Sequence, residues 1–210
     1  MGFRRSGDHL YRPHCHSCNA CTAARVVADD FVPSRSQRRV INANADLRLQ
    51  ITESVTDDEA YELYERYIIG KHADGDMFPP DREQYESFLN NSLGCTQYFR
   101  LYDRDGLVCV AVSDQMLDGL AAIYTFYDPD FDKRSLGTFA VLLQISHAKK
   151  LGLPYVYLGY WIDGCRKMSY KTRFKPLEML SNGRWHGDGD SSTSGLSKIP
   201  VVNVSGDTLD

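Results

Sequence analysis

The stretch that decides the fold is QYFRLYDRDGLVCVAVSDQMLDGLAAIYTFYDP, residues 97–129. Apolar and polar residues alternate along three segments of it, which is the pattern of β-strands with one buried face. Asp105-Gly106 and Asp118-Gly119 separate the segments, and Asp-Gly is typical of the tight turns that join antiparallel strands. The sequence therefore predicts an antiparallel meander of three strands.

Helices and strands alternate after this meander. A helix is predicted from about residue 135 to residue 151, because its apolar residues recur with helical spacing. The apolar run LPYVYLGYW (153–161) predicts a buried strand, and DGCRKMSYKTRF (163–174) predicts a short basic helix. PLEMLSNGRW (176–185) predicts a last strand that reaches an Asn182-Gly183 turn.

This order of elements is that of a GCN5-related acetyltransferase fold. The predicted class is therefore α+β, with an acetyltransferase-like mixed sheet. In that fold, the phosphates of an acyl carrier bind backbone N–H groups where a strand turns into the long helix. The matching stretch is DKRSLGTF (132–139), with Arg134 and Gly137. An ordinary helix start has the same composition, so the stretch indicates a phosphate site only weakly.

The chain before the meander also mixes both kinds of element. ARVVA (24–28) and DLRLQIT (46–52) predict strands. Three helices are predicted at PSRSQRRVINANAD (33–46), TDDEAYELYERYIIGKH (56–72) and PPDREQYESFLNN (79–91). We expect Ser34 or Ser36 to cap the first helix, and Thr56 and Glu59 to form a capping box on the second. Pro80 is expected at or near the first turn of the third.

The distribution of charge indicates an anionic partner. The 210 residues carry a net charge of −4, yet residues 1–40 contain seven arginines against three acidic residues. Residues 163–185 contain six basic residues against two acidic ones. Two basic islands in an acidic protein favour a localised anionic ligand, such as a phosphate backbone or a carboxylate substrate. Solvated helix faces are the alternative interpretation.

Several classes of protein do not fit this composition. No apolar run approaches the roughly 20 residues of a membrane span, and the first residues lack the apolar stretch of a signal peptide. We therefore expect a cytoplasmic protein whose six cysteines do not form a disulfide framework. The Gly-, Ser- and Asp-rich stretch 187–210 predicts a disordered tail.

Three of the cysteines, Cys15, Cys18 and Cys21, lie in RPHCHSCNACTAARV (12–26). Thiolates at this spacing suit tetrahedral zinc or an iron–sulfur cluster. A closed zinc site needs a fourth ligand, for which His14 or His16 is a candidate. Three thiolates alone suit a cluster with an open iron site, and plain reduced thiols are the alternative.

Four longer stretches together resemble the arginyl-tRNA–protein transferases in their bacterial form. They are GFRRSGDHLYRPHCHSCNAC (2–21), ARVVADDFVPSRSQRRV (24–40), HADGDMFPPDREQYESFL (72–89) and YLGYWIDGCRKMSYKTRFKPLEML (157–180). The resemblance implies an N-terminal cysteine domain over residues 1–50, an acetyltransferase-like aminoacyltransferase domain over residues 51–186, and a tail over 187–210. Family members carry some thirty further residues before the first stretch, including a cysteine, so we expect this chain to hold a truncated cysteine site.

The resemblance also implies an activity. Bacterial members transfer leucine from leucyl-tRNA to the α-amino group of proteins that begin with Asp or Glu, which marks those proteins for degradation by the N-degron pathway. No cofactor is needed for that transfer, although the family suggests an iron–sulfur cluster or zinc at the cysteines. Three alternatives stay open: an arginyl donor, a coenzyme-A-dependent N-acetyltransferase, and a non-catalytic metal- or cluster-binding module associated with RNA.

Candidate residues follow from the binding tasks that this reaction sets. Cations must hold the acidic acceptor, and the candidates are Lys167, Lys171, Arg173, Arg38 and Arg39. Lys167 and Lys171 are four residues apart, so on an α-helix they would share one face. The tRNA needs phosphate and base contacts, and the candidates are Arg35, Arg134, Gly137 and Trp161. For the catalytic base the candidates are Asp76 and then Tyr170. His72 is expected to cap a helix.

Overall fold

The computed structural model describes residues 2–16 and 18–187. The predicted disordered tail, apart from Gly187, lies outside these residues. Within the described part of the chain, no helix has the length and apolar character needed to cross a bilayer.

The described residues form ten strands, four α-helices and two 3₁₀ helices. The strands are β1 (Arg4–Ser6), β2 (His9–Tyr11), β3 (Thr22–Val27), β4 (Arg48–Thr52), β5 (Thr96–Tyr102), β6 (Leu107–Gln115), β7 (Gly119–Tyr127), β8 (Tyr155–Trp161), β9 (Leu177–Ser181) and β10 (Arg184–Gly187). The helices are α1 (Arg35–Ala43), α2 (Asp58–Lys71), α3 (Arg82–Leu89) and α4 (Leu136–Lys150). The 3₁₀ helices are Pro129–Arg134 and Arg166–Arg173, and the second is called the basic 3₁₀ helix below.

Eight strands form one mixed sheet in the order β10-β9-β3-β8-β7-β6-β5-β4. The predicted meander is confirmed, since β5, β6 and β7 pair antiparallel as neighbours. β7 and β8 run parallel, because α4 carries the chain back between them. The sheet and its helices confirm the α+β class with an acetyltransferase-like sheet.

The sheet draws strands from both sides of the predicted domain boundary at residues 50 and 51. β3 inserts between β8 and β9, and β4 forms the other edge beside β5. The division into a domain over 1–50 and a domain over 51–186 stays a prediction. In the structure, residues 22–27 are a central part of the same sheet as the transferase strands.

Helices cover both faces of the sheet and bury a separate cluster on each. α4 packs with β7, β8 and α1 around buried side chains such as Leu136, Ile145 and Val156. On the other face α2 and α3 bury an aromatic cluster that includes Tyr64, Tyr85 and Phe126. This layering fixes the central strands between two apolar layers.

Capping was predicted correctly for the first helix and wrongly for the second, and Pro80 lies near the start of the third as expected. Ser34 caps α1, and Gln37 completes its capping box. The residue that caps α2 is Asp57 and not Thr56, because Asp57 accepts the Ala60 N–H while Glu59 accepts from the Leu107 N–H. Asp81 caps α3, so Pro80 precedes the helix.

The last predicted elements also differ from the structure. The stretch 163–174 forms a 3₁₀ helix instead of an α-helix, and the last strand is followed by a further one, β10. Asn182 and Gly183 have φ of 50° and 76°, the left-handed conformation that a type I′ hairpin turn requires. This turn lets the chain continue into β10.

The β1–β2 hairpin is attached to the sheet by a buried ion pair. The Arg5 guanidinium donates to both carboxylate oxygens of Asp114, at 2.5 and 2.9 Å. The side chains are only 2% and 9% exposed. Gly7 adds a backbone bond from its N–H to the carbonyl of Phe88 in α3.

We expect Asp114→Ala to lower the free energy of unfolding by about 3–5 kcal/mol, because it leaves the buried Arg5 cation without a counter-charge. Urea unfolding followed by circular dichroism measures the change.

Asp58→Ala is the matched control. Asp58 pairs with Arg82, but its side chain is 80% exposed, so its loss should cost less than about 1 kcal/mol. Equal losses in the two variants would contradict the role of the Arg5–Asp114 pair.

Candidate active site

An opening forms in the sheet where β7 and β8 stop pairing. Their parallel pairing covers only Gly119–Ala121 and Tyr155–Tyr157. A bulge follows in β7 at Ile123, since Val112 pairs with Tyr124 and Ser113 pairs with Ala122. Beyond the bulge, backbone groups of β7 that face β8 need other partners.

Arg4 of the β1–β2 hairpin fills this opening. Its Nη2 donates to the carbonyl oxygens of Ala122 and Ile123, at 3.0 and 2.9 Å. On the β8 side, a methyl group built on Gly159 would overlap Arg4 Nη1 and lie 2.5 Å from Cζ. Gly159 has φ of 79°, which favours glycine, and its missing side chain makes room for the guanidinium.

A cavity of about 440 Å³ lies beside Arg4, on the hairpin side of the sheet. This volume is within the range of small-molecule sites. Much of its wall is apolar, formed by Leu10, Leu93, Met116, Ala121, Ile123 and Trp185. Arg4, Arg5 and Arg25 also line it. Asp114 and Asp118 line it as well. The opening between β7 and β8 is therefore accompanied by a cavity that is partly apolar and carries charged groups of both signs.

The basic 3₁₀ helix places a buried lysine next to Arg4. Lys171 is only 6% exposed, and its Nζ donates to the carbonyl oxygen of Tyr160 in β8. Burial, and then the positive charge of Arg4, lower the pKa of Lys171 to about 8. Two cations thus meet at the end of the β7–β8 opening.

Lys167 and Lys171 do not share a face, which corrects the prediction. The 3₁₀ helix has about three residues per turn, so residues three apart, and not four apart, lie above one another. Lys167 is exposed and lies near His72, while Lys171 points inward. Arg173 is exposed, and its carbonyl oxygen accepts a hydrogen bond from the Gln37 side chain at 3.0 Å.

That last bond joins the basic 3₁₀ helix to α1, whose arginines face solvent. Arg35, Arg38 and Arg39 are all exposed. Arg38 donates to the carbonyl oxygen of Pro33 at 2.6 Å. α1 lies on the α4 side of the sheet, opposite the cavity. Their assignment to tRNA and acceptor binding stays a prediction.

The other tRNA candidates, Arg134, Gly137 and Trp161, differ in the contacts that they already make within the protein. Arg134 donates to the Asn44 side chain at 3.0 Å and to the Ala43 carbonyl at 2.9 Å, and it pairs with Asp46. These contacts tie the first 3₁₀ helix to the end of α1. Gly137 lies in the first turn of α4, which has no side-chain cap. Trp161 ends β8 and is half-buried.

Neither candidate base is among the described residues that line the cavity. Asp76 is exposed in the loop between α2 and α3. Tyr170 is 38% exposed and packs edge-on against Phe174. Their catalytic role stays a prediction. His72 does form the C-cap of α2, as expected.

The cysteine loop brings thiols near one another without enclosing a site. Cys15 and Cys18 are exposed and face each other across an isolated β-bridge. Burial, and then the neighbouring thiols of Cys15 and Cys18, raise the pKa of Cys21. In residues 2–16 and 18–187, no three His, Cys, Asp or Glu side chains are placed to hold a metal ion. Zinc or cluster binding by Cys15, Cys18 and Cys21 stays a prediction.

Sequence reasoning missed Arg4, Gly159 and Arg25. Arg4 lies in the quoted stretch GFRRSG, but nothing in that stretch indicates which strand its side chain reaches. Arg25 lies between the rings of Tyr155 and Trp185, at 3.5 and 4.2 Å, and pairs with Glu178 at 2.6 Å. An arginine within the apolar stretch ARVVA is the only local signal of that contact.

Comparison with known proteins gives two family matches. The family described as "Arginine-tRNA-protein transferase, N terminus" matches residues 1–39, and its counterpart "C terminus" matches residues 59–181. A relative named aspartate/glutamate leucyltransferase in Pseudomonas fluorescens is 52% identical over 185 residues, which cover 88% of this chain and 79% of the relative. The protein of that name in Pseudomonas aeruginosa is 53% identical over 187 residues, with the same coverage.

Solved structures show similarity in fold alone. L-PGS from Bacillus licheniformis matches with a TM-score of 0.54 and 15% identity, covering 80% of this chain and 58% of that one. FemX matches with a TM-score of 0.55 and 8% identity, covering 84% of this chain and 63% of that one. This chain thus spans about three-fifths of the length of each. Both share the arrangement of helices around a mixed sheet.

We expect the stability of the protein to rise by about 3 kcal/mol between pH 8 and pH 10.5 through Lys171 alone. The folded pKa lies below the unfolded one, so in this range the unfolded chain holds a proton that the folded chain has lost, and stability rises with pH. Urea unfolding at a series of pH values, in the protein and in Lys171→Met, isolates the contribution. Parallel pH profiles for the two proteins would contradict a buried, desolvated Lys171.

We expect Cys15 and Cys18 to react within minutes with a chromogenic disulfide reagent in the folded protein, because both are exposed. Cys109 is fully buried and should react only after unfolding, so it serves as the internal control. Slow reaction at Cys15 and Cys18 that a chelator accelerates would contradict free thiols and show bound metal.

Proposed function

Because this chain belongs to the arginine-tRNA–protein transferase family, we propose that it transfers leucine from leucyl-tRNA to the α-amino group of proteins that begin with Asp or Glu. This conclusion rests on the relatives named aspartate/glutamate leucyltransferase, which are 52% and 53% identical to this protein over 88% of its chain. The chain is an aminoacyltransferase, and the acetyltransferase-like sheet is the scaffold for the reaction.

The reaction needs positioning more than it needs strong acid or base catalysis. The acceptor nitrogen attacks the ester carbonyl of leucyl-tRNA, an N–C bond forms, and the ester C–O bond breaks. The proton lost by the amine goes to the oxygen of the leaving ribose hydroxyl. An α-amine has a pKa of about 7.7–8.0, so a sizeable fraction is already a free nucleophile near neutral pH. Holding amine and ester together supplies an effective molarity of about 10⁵ M or more.

The opening between β7 and β8 is the place in the fold that suits this encounter. It is bordered by the cation of Arg4 and the buried Lys171, and the cavity continues from it on the hairpin side. On the other side of the sheet lie the exposed arginines of α1 and the uncapped first turn of α4. Backbone N–H groups at a helix start and exposed arginines both suit the phosphates of a tRNA end.

The partners of the reaction follow from this chemistry. Leucyl-tRNA is the donor, and proteins with an acidic first residue are the acceptors. We place the protein in the cytoplasm because charged tRNA is found there, and the leucylated products would enter the N-degron pathway. An arginyl donor is the second candidate, since the matching family is described by arginine.

The direct test offers radiolabelled leucyl-tRNA or arginyl-tRNA to peptides that begin with Asp, Glu, Asn or Lys. We expect leucine on the Asp and Glu peptides at a rate at least about 100-fold above that on the Asn and Lys peptides, because a charged site strongly rejects ligands that cannot compensate it. Arginyl-tRNA should give little product.

A matched control offers acetyl-coenzyme A with the same peptides, because an acetyltransferase-like fold is also compatible with N-acetylation. Transfer of arginine in preference to leucine would show that arginyl-tRNA is the donor. Acetylation without leucylation would show that the protein is an N-acetyltransferase and would overturn the proposed function.

A further inference from the structure

We propose that Arg4 selects the acceptor: its guanidinium binds the side-chain carboxylate of the N-terminal Asp or Glu inside the cavity beside the β7–β8 opening. This inference rests on the proposed function. It assigns acceptor recognition to a residue of the N-terminal hairpin, which the comparisons do not address.

The first step is the balance of charge within the cavity. Of its three arginines, Arg5 is paired with Asp114, and Arg25 is paired with Glu178. Arg4 donates only to the backbone carbonyls of Ala122 and Ile123, and no described carboxylate pairs with it. Arg4 is therefore the arginine of the cavity wall that no described carboxylate pairs with.

Two further charged side chains enter this account, Asp118 in the cavity wall and Lys171 near Arg4. Asp118 lies at the β6–β7 turn, where its carboxylate accepts the Tyr157 hydroxyl at 2.8 Å and forms no ion pair with Arg4. Lys171 is close enough for the charge of Arg4 to lower its pKa, and its Nζ donates to a backbone carbonyl. Lys171 is not among the described residues that line the cavity, so Arg4 is the unpaired cation that an anionic ligand in the cavity would meet.

The second step is the size and polarity of the ligand. Apolar side chains form much of the wall, and Arg4 supplies the charge. A leucyl side chain would bury apolar surface but would leave Arg4 uncompensated. The side chain of Asp or Glu has a short aliphatic stem and a terminal carboxylate, which suit the wall and the cation respectively. The amide of Asn or Gln has the same shape but cannot offset the charge.

The third step is the direction from which each substrate approaches. The cavity lies on the hairpin side of the sheet, whereas the exposed arginines of α1 lie on the α4 side. A tRNA held by α1 and the start of α4 would reach the opening from the α4 side. The acceptor would then enter from the hairpin side, where Arg4 in the opening would meet its first residue.

The test compares Arg4→Gln and Arg4→Lys with Arg12→Gln, a matched control that removes an exposed arginine from the same N-terminal segment. Acceptor binding is measured without tRNA, by anisotropy of labelled peptides that begin with Asp or Asn. We expect the preference for Asp over Asn to fall about 10- to 100-fold in Arg4→Gln. Arg4→Lys should keep part of it, and Arg12→Gln should keep all of it.

A second pair of variants moves Arg4 without removing its charge. Gly159→Ala puts a methyl group on Nη1, so it should lower the affinity for Asp peptides about 10-fold or more. Gly164→Ala is the matched control, because Gly164 also has positive φ, 74°, but has nothing within 4 Å of the added methyl group. It should leave the preference unchanged. Circular dichroism of each variant shows that the fold is kept.

The outcomes separate this inference from the proposed function. If Arg4→Gln keeps the full preference for Asp, the inference is overturned even when leucine is transferred. If Arg4→Gln weakens leucyl-tRNA binding but not peptide binding, Arg4 holds a tRNA phosphate and the inference is again overturned. If the unaltered protein transfers no leucine but binds Asp peptides through Arg4, the proposed function fails and the acceptor site stands.

Discussion

The insertion of the Arg4 guanidinium between β7 and β8 is the interaction on which the site depends. Two parallel strands that separate inside a sheet leave backbone carbonyls without partners, and buried carbonyls without partners are costly. Arg4 supplies two donors to β7 at the bulge and lies against β8 where Gly159 has no side chain. One side chain therefore satisfies the opened strands, keeps them apart and brings a positive charge to the gap.

On the proposal above, the N-terminal hairpin is part of the acceptor site. Arg5, the next residue, fixes the hairpin to β6 through its buried pair with Asp114, and β3 continues the same segment into the centre of the sheet. The cysteine loop lies between β2 and β3, so it connects the hairpin that carries Arg4 to the strand that pairs with β8 and β9.

The sequence predicted the parts of the fold that local rules control. The meander was readable because each Asp-Gly turn joins strands that are neighbours in the chain, and the long helix because its apolar period is regular. The position of β3 between β8 and β9 has no local signal, since the pairing of β3 with β8 joins residues 128 to 139 positions apart. The inward direction of Lys171 was missed because a basic stretch gives the same pattern whether it forms an α-helix or a 3₁₀ helix. Arg4 was missed for a related reason: its partners are backbone carbonyls, which no residue type marks.

Lys171 illustrates why a buried cation that lies away from carboxylates points to a functional site. Burying an ammonium group away from carboxylates lowers the stability of the folded protein. The lowered pKa of Lys171 has the same cause, the loss of solvation of its charged form. An apolar residue of similar length would suit the position better if packing alone mattered. The lysine lies beside a second cation, at the end of an opening that α4 and the hairpin both border. On the proposal above, the carboxylate of an acidic acceptor would offset the charge of Arg4, which lies close enough to Lys171 to lower its pKa. The free energy of that binding would help to order the amine beside the ester, which is what the proposed reaction requires.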